Sequence, residues 1–453
     1  MSAITLEQAA AWCGGKIDEK YAKVSFLGAN NDSRKIEKGQ LFVAIEGVRD
    51  GHDFIPMALE KGAAAVLCRH NDADIPAIVV DDPVTALGDI ARQERKRLGM
   101  KVVGVTGSVG KSSTKEMIAS VLETTYRTGR TPMNFNNNIG LPMTVLALPE
   151  DTEVAVIEMG MNHFREMAYL TSIAQPDVAV IINIGTMHIE HLGSQEGILK
   201  AKMEIMEGME KDGQMILNGD DALLWNARES VPMQTTFFGI QNPECQVQGS
   251  GKEQTSETLS FQASYDDLTY RVEMGLEGDH FVYDALAAIA VGRALDVKPE
   301  KIQEALAIFR NMAGRQEIFE AKGCTIIKDC YNAGPESMAA ALAVLGHRPG
   351  RHIAVLGDML ELGVCTQAEH YRVGRIAAEN AEFIFAYGPN GGRVVNGAIT
   401  GGMPETKARA FQDRESLAKA LSRTVKPGDV LLFKGSRGMH MELILDQFLK
   451  DEA

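Results

Sequence analysis

Three stretches in the middle of the chain, "MKVVGV", "EVAVIEMG" and "DVAVIIN", are near-continuous runs of apolar, largely β-branched residues. That is the pattern of strands buried on both faces of a sheet. Enough chain for a crossover helix separates each from the next, which predicts a doubly wound parallel sheet. Up to about residue 94 the apolar runs are shorter ("QLFVAIEG", "AAAVLC", "AIVVDD") and broken by Gly and Asp turns, the texture of a small α/β domain. The texture changes near "QERKRLGM". Further on, "QVQGSGKEQTSETLSFQASYDDLTYRVEM" alternates around a polar turn and predicts a hairpin, with a helix to follow at "HFVYDALAAIAVGRAL". A third α/β pattern begins at Gly314, with strands expected at "CTIIKD", "RHIAVLGD", "AEFIFAYG" and "DVLLFKGS". The expected fold class is α/β in three domains, at 1–94, 95–313 and 314–453, with no internal repeat.

Composition narrows the partners. The chain has 453 residues, 45% hydrophobic and 24% charged, with a net charge of -15. This is an ordinary soluble composition, and its sign argues against a general nucleic-acid or anionic-membrane binder. A few local Lys and Arg could still hold an anionic substrate. The six cysteines are scattered, with no C-x-x-C pair, so neither a zinc site nor a disulfide framework is expected. The N-terminal "MSAITLEQAAAWCGG" has no basic region followed by an apolar stretch, and no apolar run approaches the roughly 18 residues of a spanning helix. A cytoplasmic protein without membrane insertion is expected.

The chemistry is concentrated at "GVTGSVGKSS", Gly104 to Ser113. A strict phosphate loop reads G-x-x-x-x-G-K-[ST], and here Val105 stands where the first glycine belongs. The context is still a strand, a glycine turn and a helix start, which brings free backbone N–H groups and the positive end of a helix dipole together. Gly107, Ser108, Val109, Gly110, Lys111, Ser112 and Ser113 form the expected phosphate site. In it Lys111 reaches the outer phosphates and the Ser112 hydroxyl ligates Mg²⁺. The helix it opens should bury Met117, Ile118, Val121 and Leu122.

The next two strands end near Glu158 and His188, and strand C-termini line the crevice of an open parallel sheet. Mg²⁺ prefers oxygen, so Glu158 is the safer ligand. In "SQEGILKAKMEIMEGMEK" the apolar face runs Ile198, Ile205, Met206 and Met209, and Lys202 shares it, while Lys200 points away. Burial disfavours a charged amine, and a neutral amine can add CO₂ to give an anionic carbamate. Spacing alone favours the plainer reading, a lysine snorkelling to the surface.

Together these segments resemble the Mur ligases, ATP-dependent amide-forming enzymes of peptidoglycan precursor synthesis. The match rests on "GVTGSVGKSS", "NFNNNIGLP" (Asn134 to Pro142), Glu158, "NIGTMHIEHLGS" and "AKMEI" in order. That family's loop is T-G-x-x-G-K-[ST], which accounts for the missing glycine. The N-terminal "DSRKIEKGQLFVAIEGVRDGHDFI" resembles its UDP-sugar domain. "GDHFVYDALAA", "GRQEIFE", "KDCYNAGPESM", "LGDMLELG" and "FKGSRGM" resemble the end of its central domain and its C-terminal domain. "YNAGPESM" with "LGDMLELG" is similar to the branch that adds D-alanyl-D-alanine to UDP-N-acetylmuramoyl tripeptide, and the D-N-P-R signature of the diaminopimelate-adding branch is missing.

The resemblance implies a central ATP-binding phosphate-loop domain, a substrate domain before it, and a Rossmann-like C-terminal domain that closes on ATP and binds the dipeptide. It implies ATP and two Mg²⁺ ions, one held by Ser112 and Glu158, the other by His188 and a carbamylated Lys202. Arg315 would meet the γ-phosphate and Asp329 the ribose, with Asn138 near the nucleotide. Ser33 and Arg34 would serve the UDP-sugar pocket, and Asn332 the substrate. The family's members are monomers more often than obligate oligomers. Three positions depart from its pattern: Asp284 and Gly334 where Asn is usual, and Lys328 where a second Asp is common. A related ligase adding a single amino acid is the alternative. Whether the third peptide residue is diaminopimelate or lysine stays open.

Overall fold

The computed structural model describes residues 3–71, 73–312 and 314–450. At the N-terminus, β1 (Ile4–Thr5) and β2 (Ser25–Phe26) form a small antiparallel pair. A four-stranded parallel sheet follows, in the order β3 (Ala29–Asn30), β4 (Leu41–Val43), β5 (Ala65–Cys68) and β6 (Ala77–Val79). The helix Pro83–Leu98 then leads into the centre of the chain, capped by Asp82, whose carboxylate accepts from the Val84 N–H. Its apolar face (Ala86, Leu87, Ile90, Ala91) belongs to one core that runs from Leu6 and Phe26 to Leu141 and Ile157. The boundary expected at 94/95 therefore falls inside a helix that packs on both sides.

The central sheet is built on β7 (Lys101–Thr106), β8 (Thr128–Arg130), β9 (Val154–Glu158), β10 (Val178–Ile181), β11 (Gln214–Asn218) and β12 (Gln234–Gly239). Its order from that edge is β8, β9, β7, β10, β11, β12, all parallel. The chain leaves β7 towards β8 and β9 and then crosses to β10 on the other side. The C-terminal end of β7 is thus a topological switch point, where such sheets bind ligands. The three apolar runs form β7, β9 and β10 as expected, because both sheet faces are covered by helices. On one face the helix Lys111–Glu123 buries Met117, Ile118, Val121 and Leu122 completely against the helix His280–Ala294.

The segment expected as a hairpin is a three-stranded meander, β13 (Val247–Gln254), β14 (Leu259–Tyr265) and β15 (Leu268–Met274). It extends the central sheet, because β13 pairs parallel with β12 at Phe238 and Val247. The second turn was hidden in "SYDDLTY": Asp266 adopts φ 49° and reverses the chain between Tyr265 and Leu268.

The C-terminal sheet runs β16 (Glu317–Ala321), β17 (Cys324–Asp329), β21 (Asp429–Lys434), β18 (Arg351–Gly357), β19 (Phe383–Tyr387), β20 (Ala408–Phe411). All its pairings are parallel except β16 with β17. All four expected strands are present. Two that the sequence did not suggest, β16 and β20, close the edges. No helix among the described residues is long and apolar enough to cross a membrane.

Candidate active site

The helix after β7 starts at Lys111, with Gly110 before it at φ 86°. A left-handed backbone at Gly110 turns the strand into the helix at no steric cost. Asn183, just past β10, holds the loop: its Oδ1 accepts the Ser108 and Val109 N–H groups at 3.0 Å each, and its Nδ2 donates to Val109 O at 3.1 Å. Ser108 Oγ accepts the Gly185 N–H at 2.8 Å. The loop is thereby pinned to the segment that carries His188.

Glu158 is 2% exposed at the end of β9. Its Oε2 accepts from Ser112 Oγ at 2.7 Å, its Oε1 from Asn136 Nδ2 at 2.8 Å, and its own N–H donates to Thr131 Oγ1 at 2.9 Å. Arg315 donates from Nη2 to Ser112 Oγ at 2.8 Å and lies over the Tyr331 ring, 4.1 Å from its centroid. Ser113 Oγ donates to Asn311 Oδ1 at 3.2 Å. Lys111 folds over the loop and donates from Nζ to Gly107 O at 2.9 Å and Ser108 O at 3.3 Å. Burial pushes its amine below the usual lysine value; the Glu158 charge opposes that shift and Arg315 adds to it.

Ser108 to Ser113, Asn136, Glu158, Asn183, Asn311, Arg315 and Tyr331 open on one cavity of about 1120 Å³, which is also lined by Asn138, His188, Asp329 and Asn332, while Gly107 stays behind its wall. His188 (φ 65°) shares a hydrogen bond between Nδ1 and Glu361 Oε2 at 2.6 Å. The contact with His188 is the leading cause that holds the Glu361 carboxyl below its ordinary value. Asp329 accepts from Lys434 Nζ at 2.5 Å, and the Asn332 side chain accepts the Ala333 N–H at 2.9 Å.

Lys202 is 2% exposed and does not snorkel. Burial drives its amine well below the usual lysine value, and the nearby Lys111 charge pushes the same way. It is not among the residues lining the cavity. Ser33 and Arg34 are also apart from it. Ser33 is buried with Oγ 3.4 Å from Met57 Sδ, and Arg34 forks onto Asp32 with two contacts of 2.9 Å. That fork is the leading cause that pulls the Asp32 carboxyl down to about 2. The N-terminal residues that do reach the cavity are Asp82, Val84 and Thr85.

The three departures have local explanations. Asp284 takes a hydrogen bond from Thr114 Oγ1 at 2.6 Å, while its Oδ2 is buried without a partner. Burial raises its carboxyl to about 7, against smaller opposing effects of Thr114 and Arg315. A side chain at Gly334 would start 2.8 Å from Met187 Cγ, so a larger residue would have to displace Met187. Lys328 faces Glu317 across β16 and β17 at 3.9 Å.

Sequence reasoning missed Asn183, Tyr331, Glu336, Glu361 and Lys434. Only Asn183 carried a signal, a polar residue directly after a buried strand. Asn136 stood in the quoted asparagine run, but nothing in that run marked it as the partner of Glu158.

A phosphate loop at the switch point of a parallel sheet, with a buried carboxylate on its serine and an arginine contributed from the start of the following domain, defines a nucleotide-dependent α/β enzyme. Three family models match the chain: "Mur ligase family, catalytic domain" over 23–95, "Mur ligase middle domain" over 105–292 and "Mur ligase, glutamate ligase domain" over 314–437. The chain belongs to the Mur ligase family. It is 39% identical over 446 residues, 96% of each chain, to the UDP-N-acetylmuramoyl-tripeptide--D-alanyl-D-alanine ligase of Bacillus subtilis. To the Escherichia coli protein of the same name it is 33% identical over 452 residues, 98% of each. Among solved structures, MurF from Acinetobacter baumannii superposes with a TM-score of 0.92 at 32% identity over all of both chains. MurF from Thermotoga maritima in complex with ADP gives 0.83 at 30% identity, over 93% of this chain and 97% of that one.

Proposed function

We propose that this ligase joins D-alanyl-D-alanine to UDP-N-acetylmuramoyl tripeptide in peptidoglycan precursor synthesis, cleaving ATP to ADP and phosphate. The observation that carries this reading is the single cavity shared by the phosphate loop, Glu158, Arg315 and the C-terminal residues Asn332 and Glu336. The full-length likeness to ligases named for that reaction supports it. In this reading 95–313 holds ATP, 314–453 closes over it and takes the dipeptide, and 1–94 takes the UDP-sugar end. Ser33 and Arg34, apart from the cavity, serve that distant end of a long substrate. The enzyme works in the cytoplasm as a monomer.

A carboxylate is a poor acyl donor, so the tripeptide's terminal carboxylate first takes the γ-phosphoryl group of ATP, giving an acyl phosphate and ADP. The loop N–H groups and Lys111, released from the Gly107 and Ser108 carbonyls, hold the phosphates. Arg315 offers its guanidinium where charge spreads over the transferring group. The dipeptide's amine then attacks the acyl carbon: a C–N bond forms, the C–O bond to phosphate breaks, and the nitrogen gives up a proton. Water would destroy the acyl phosphate, so docking of the C-terminal domain over the cavity protects it. ATP binds first, because its loop is buried to half-buried throughout.

The donor set beside the loop fits Mg²⁺. Ser112 Oγ and the Glu158 carboxylate are buried oxygens already in contact, as a hard cation requires. The ion's contribution there is to screen the charge of the phosphates. A second ion would be held by His188, oriented through Nδ1 by Glu361 as metal-binding imidazoles commonly are, and by Lys202 as its carbamate. The burial of Lys202, which disfavours its charged form, fits that modification. Asn138 lies beside the nucleotide and Asp329 at its ribose.

The test is to supply ATP, Mg²⁺ and UDP-N-acetylmuramoyl tripeptide with and without D-alanyl-D-alanine. Phosphate release that needs the dipeptide, with a product one dipeptide unit heavier, is the expected result. Turnover with a single amino acid instead would move the enzyme to a neighbouring step.

A further inference from the structure

The helix Pro335–His347 touches the central domain at both ends. Just past its C-terminus, Arg348 forks onto Glu277, with Nε to Oε2 at 3.0 Å and Nη2 to Oε1, and Nη2 also donates to Ser256 O at 3.2 Å. The Glu277 carbonyl accepts from Gln316 in the linker between the two domains. This end is an anchor beside the linker. The other end lies about 20 Å away, given 1.5 Å of rise per residue.

There Glu336, in the first turn, reaches into the central domain. Its Oε1 accepts both the Thr186 N–H and the Thr186 hydroxyl at 3.0 Å, and its Oε2 is buried without a partner. The carboxylate lies flat against Gly185: a Cβ there would come within 2.9–3.1 Å of its carboxyl atoms. The same Gly185 gives its N–H to Ser108 of the phosphate loop, and Asn183 holds the Ser108 and Val109 N–H groups. One unbroken run of contacts therefore leads from the C-terminal domain to the loop: Glu336, Thr186, Gly185, Ser108. The segment is gripped a second time by the same domain, through Glu361 at His188 and Gly363 against Glu190.

We infer that Glu336 is a positioning residue that couples docking of the C-terminal domain to the shape of the phosphate loop, with the helix Pro335–His347 as a lever anchored at Arg348 and Glu277. Its meaning for turnover rests on the ligase reading above. The contact with Thr186 orders the 183–188 segment from one side while the loop is tied to that segment from the other. Arrival of the domain that brings Arg315 and the loop geometry that suits the phosphates then become one event.

The coupling is tested by amide hydrogen exchange on the full chain without substrates, comparing wild type with Glu336→Ala and Glu336→Gln. In Glu336→Ala, peptides over 183–190 and also over 104–113 should exchange at least about threefold faster, while a peptide over 214–226 stays unchanged. Glu336→Gln keeps an acceptor oxygen for Thr186 and should stay close to wild type. Acceleration confined to 183–190, or none, overturns the coupling. In phosphate release, Glu336→Ala should lower kcat about tenfold with less than a threefold change in ATP affinity. An unchanged kcat also overturns it. Should Glu336→Ala fold poorly, Thr186→Val removes one of the two donors and should give the same exchange pattern at smaller amplitude. Absence of dipeptide-dependent turnover in wild type would count against the ligase reading, and the exchange result would still decide the coupling.

Discussion

Arg315 and Ser112 are 203 positions apart in sequence, yet the guanidinium of one donates to the hydroxyl of the other at 2.8 Å. This contact joins the start of the C-terminal domain to the first turn of the phosphate-loop helix, and the Tyr331 ring supports the guanidinium from below. Arg315→Ala should lower kcat by about 10²–10³, the usual cost of removing one charge-stabilising donor from a reacting centre, with the melting temperature nearly unchanged. Arg315→Lys should recover only part of the rate, because a point charge does not reproduce the planar fork or its stacking. Steady-state phosphate release measures both, and wild-type kcat in Arg315→Ala would remove Arg315 from the site.

Asn136 fixes one oxygen of Glu158 while Ser112 occupies the other. Removing a group that orients a metal ligand commonly weakens metal affinity or activity by about 10–100-fold. Asn136→Ala should therefore raise the Mg²⁺ concentration for half-maximal activity by about that factor and leave the rate at saturating Mg²⁺ less affected. A Mg²⁺ titration that overlays wild type would show that Glu158 needs no such support.

Lys202 is buried, and its amine is held towards the neutral form by burial and by Lys111. It should add CO₂ and show a carbamate carbon resonance when the protein is equilibrated with ¹³C-bicarbonate. Lys202→Ala should lose that signal and most activity, and short carboxylic acids should restore part of the activity. An identical spectrum in the variant would leave Lys202 as an ordinary buried lysine.

Asp284 is raised to about 7, chiefly by burial. Between pH of about 4 and 7 the folded protein keeps a proton that the unfolded chain releases, so the contribution of Asp284 to stability falls as pH rises through that window. Above about 7 the loss is complete. Asp284→Asn has no such titration, so its melting temperature relative to wild type should climb from about pH 4.5 to about pH 8. Parallel melting curves across that range would mean that Asp284 is solvated more than its burial indicates.

Much of the site was legible because its residues are local. Gly107 to Gly110 form the turn between a buried strand and the helix whose first residues are Lys111, Ser112 and Ser113, and Glu158 ends the next strand in the sheet. Period and punctuation mark such positions. The second turn of the meander was not legible, since a single left-handed Asp266 in a run of strand-forming residues leaves the alternation almost intact. Ser33 and Arg34 shared a motif with the substrate domain but not a wall of the cavity.

By itself the sequence determined the alternation of buried strands and helices, the phosphate loop and the carboxylate at the end of β9, because each depends on neighbours within a few residues along the chain. Tertiary structure alone decided that Lys202 is buried close to Lys111 and that Asn136 holds Glu158. It alone set Arg315, Tyr331 and Glu336 against the central domain. Those relationships join segments dozens to hundreds of residues apart, and their distances are set by how sheets and helices pack, which no local pattern encodes.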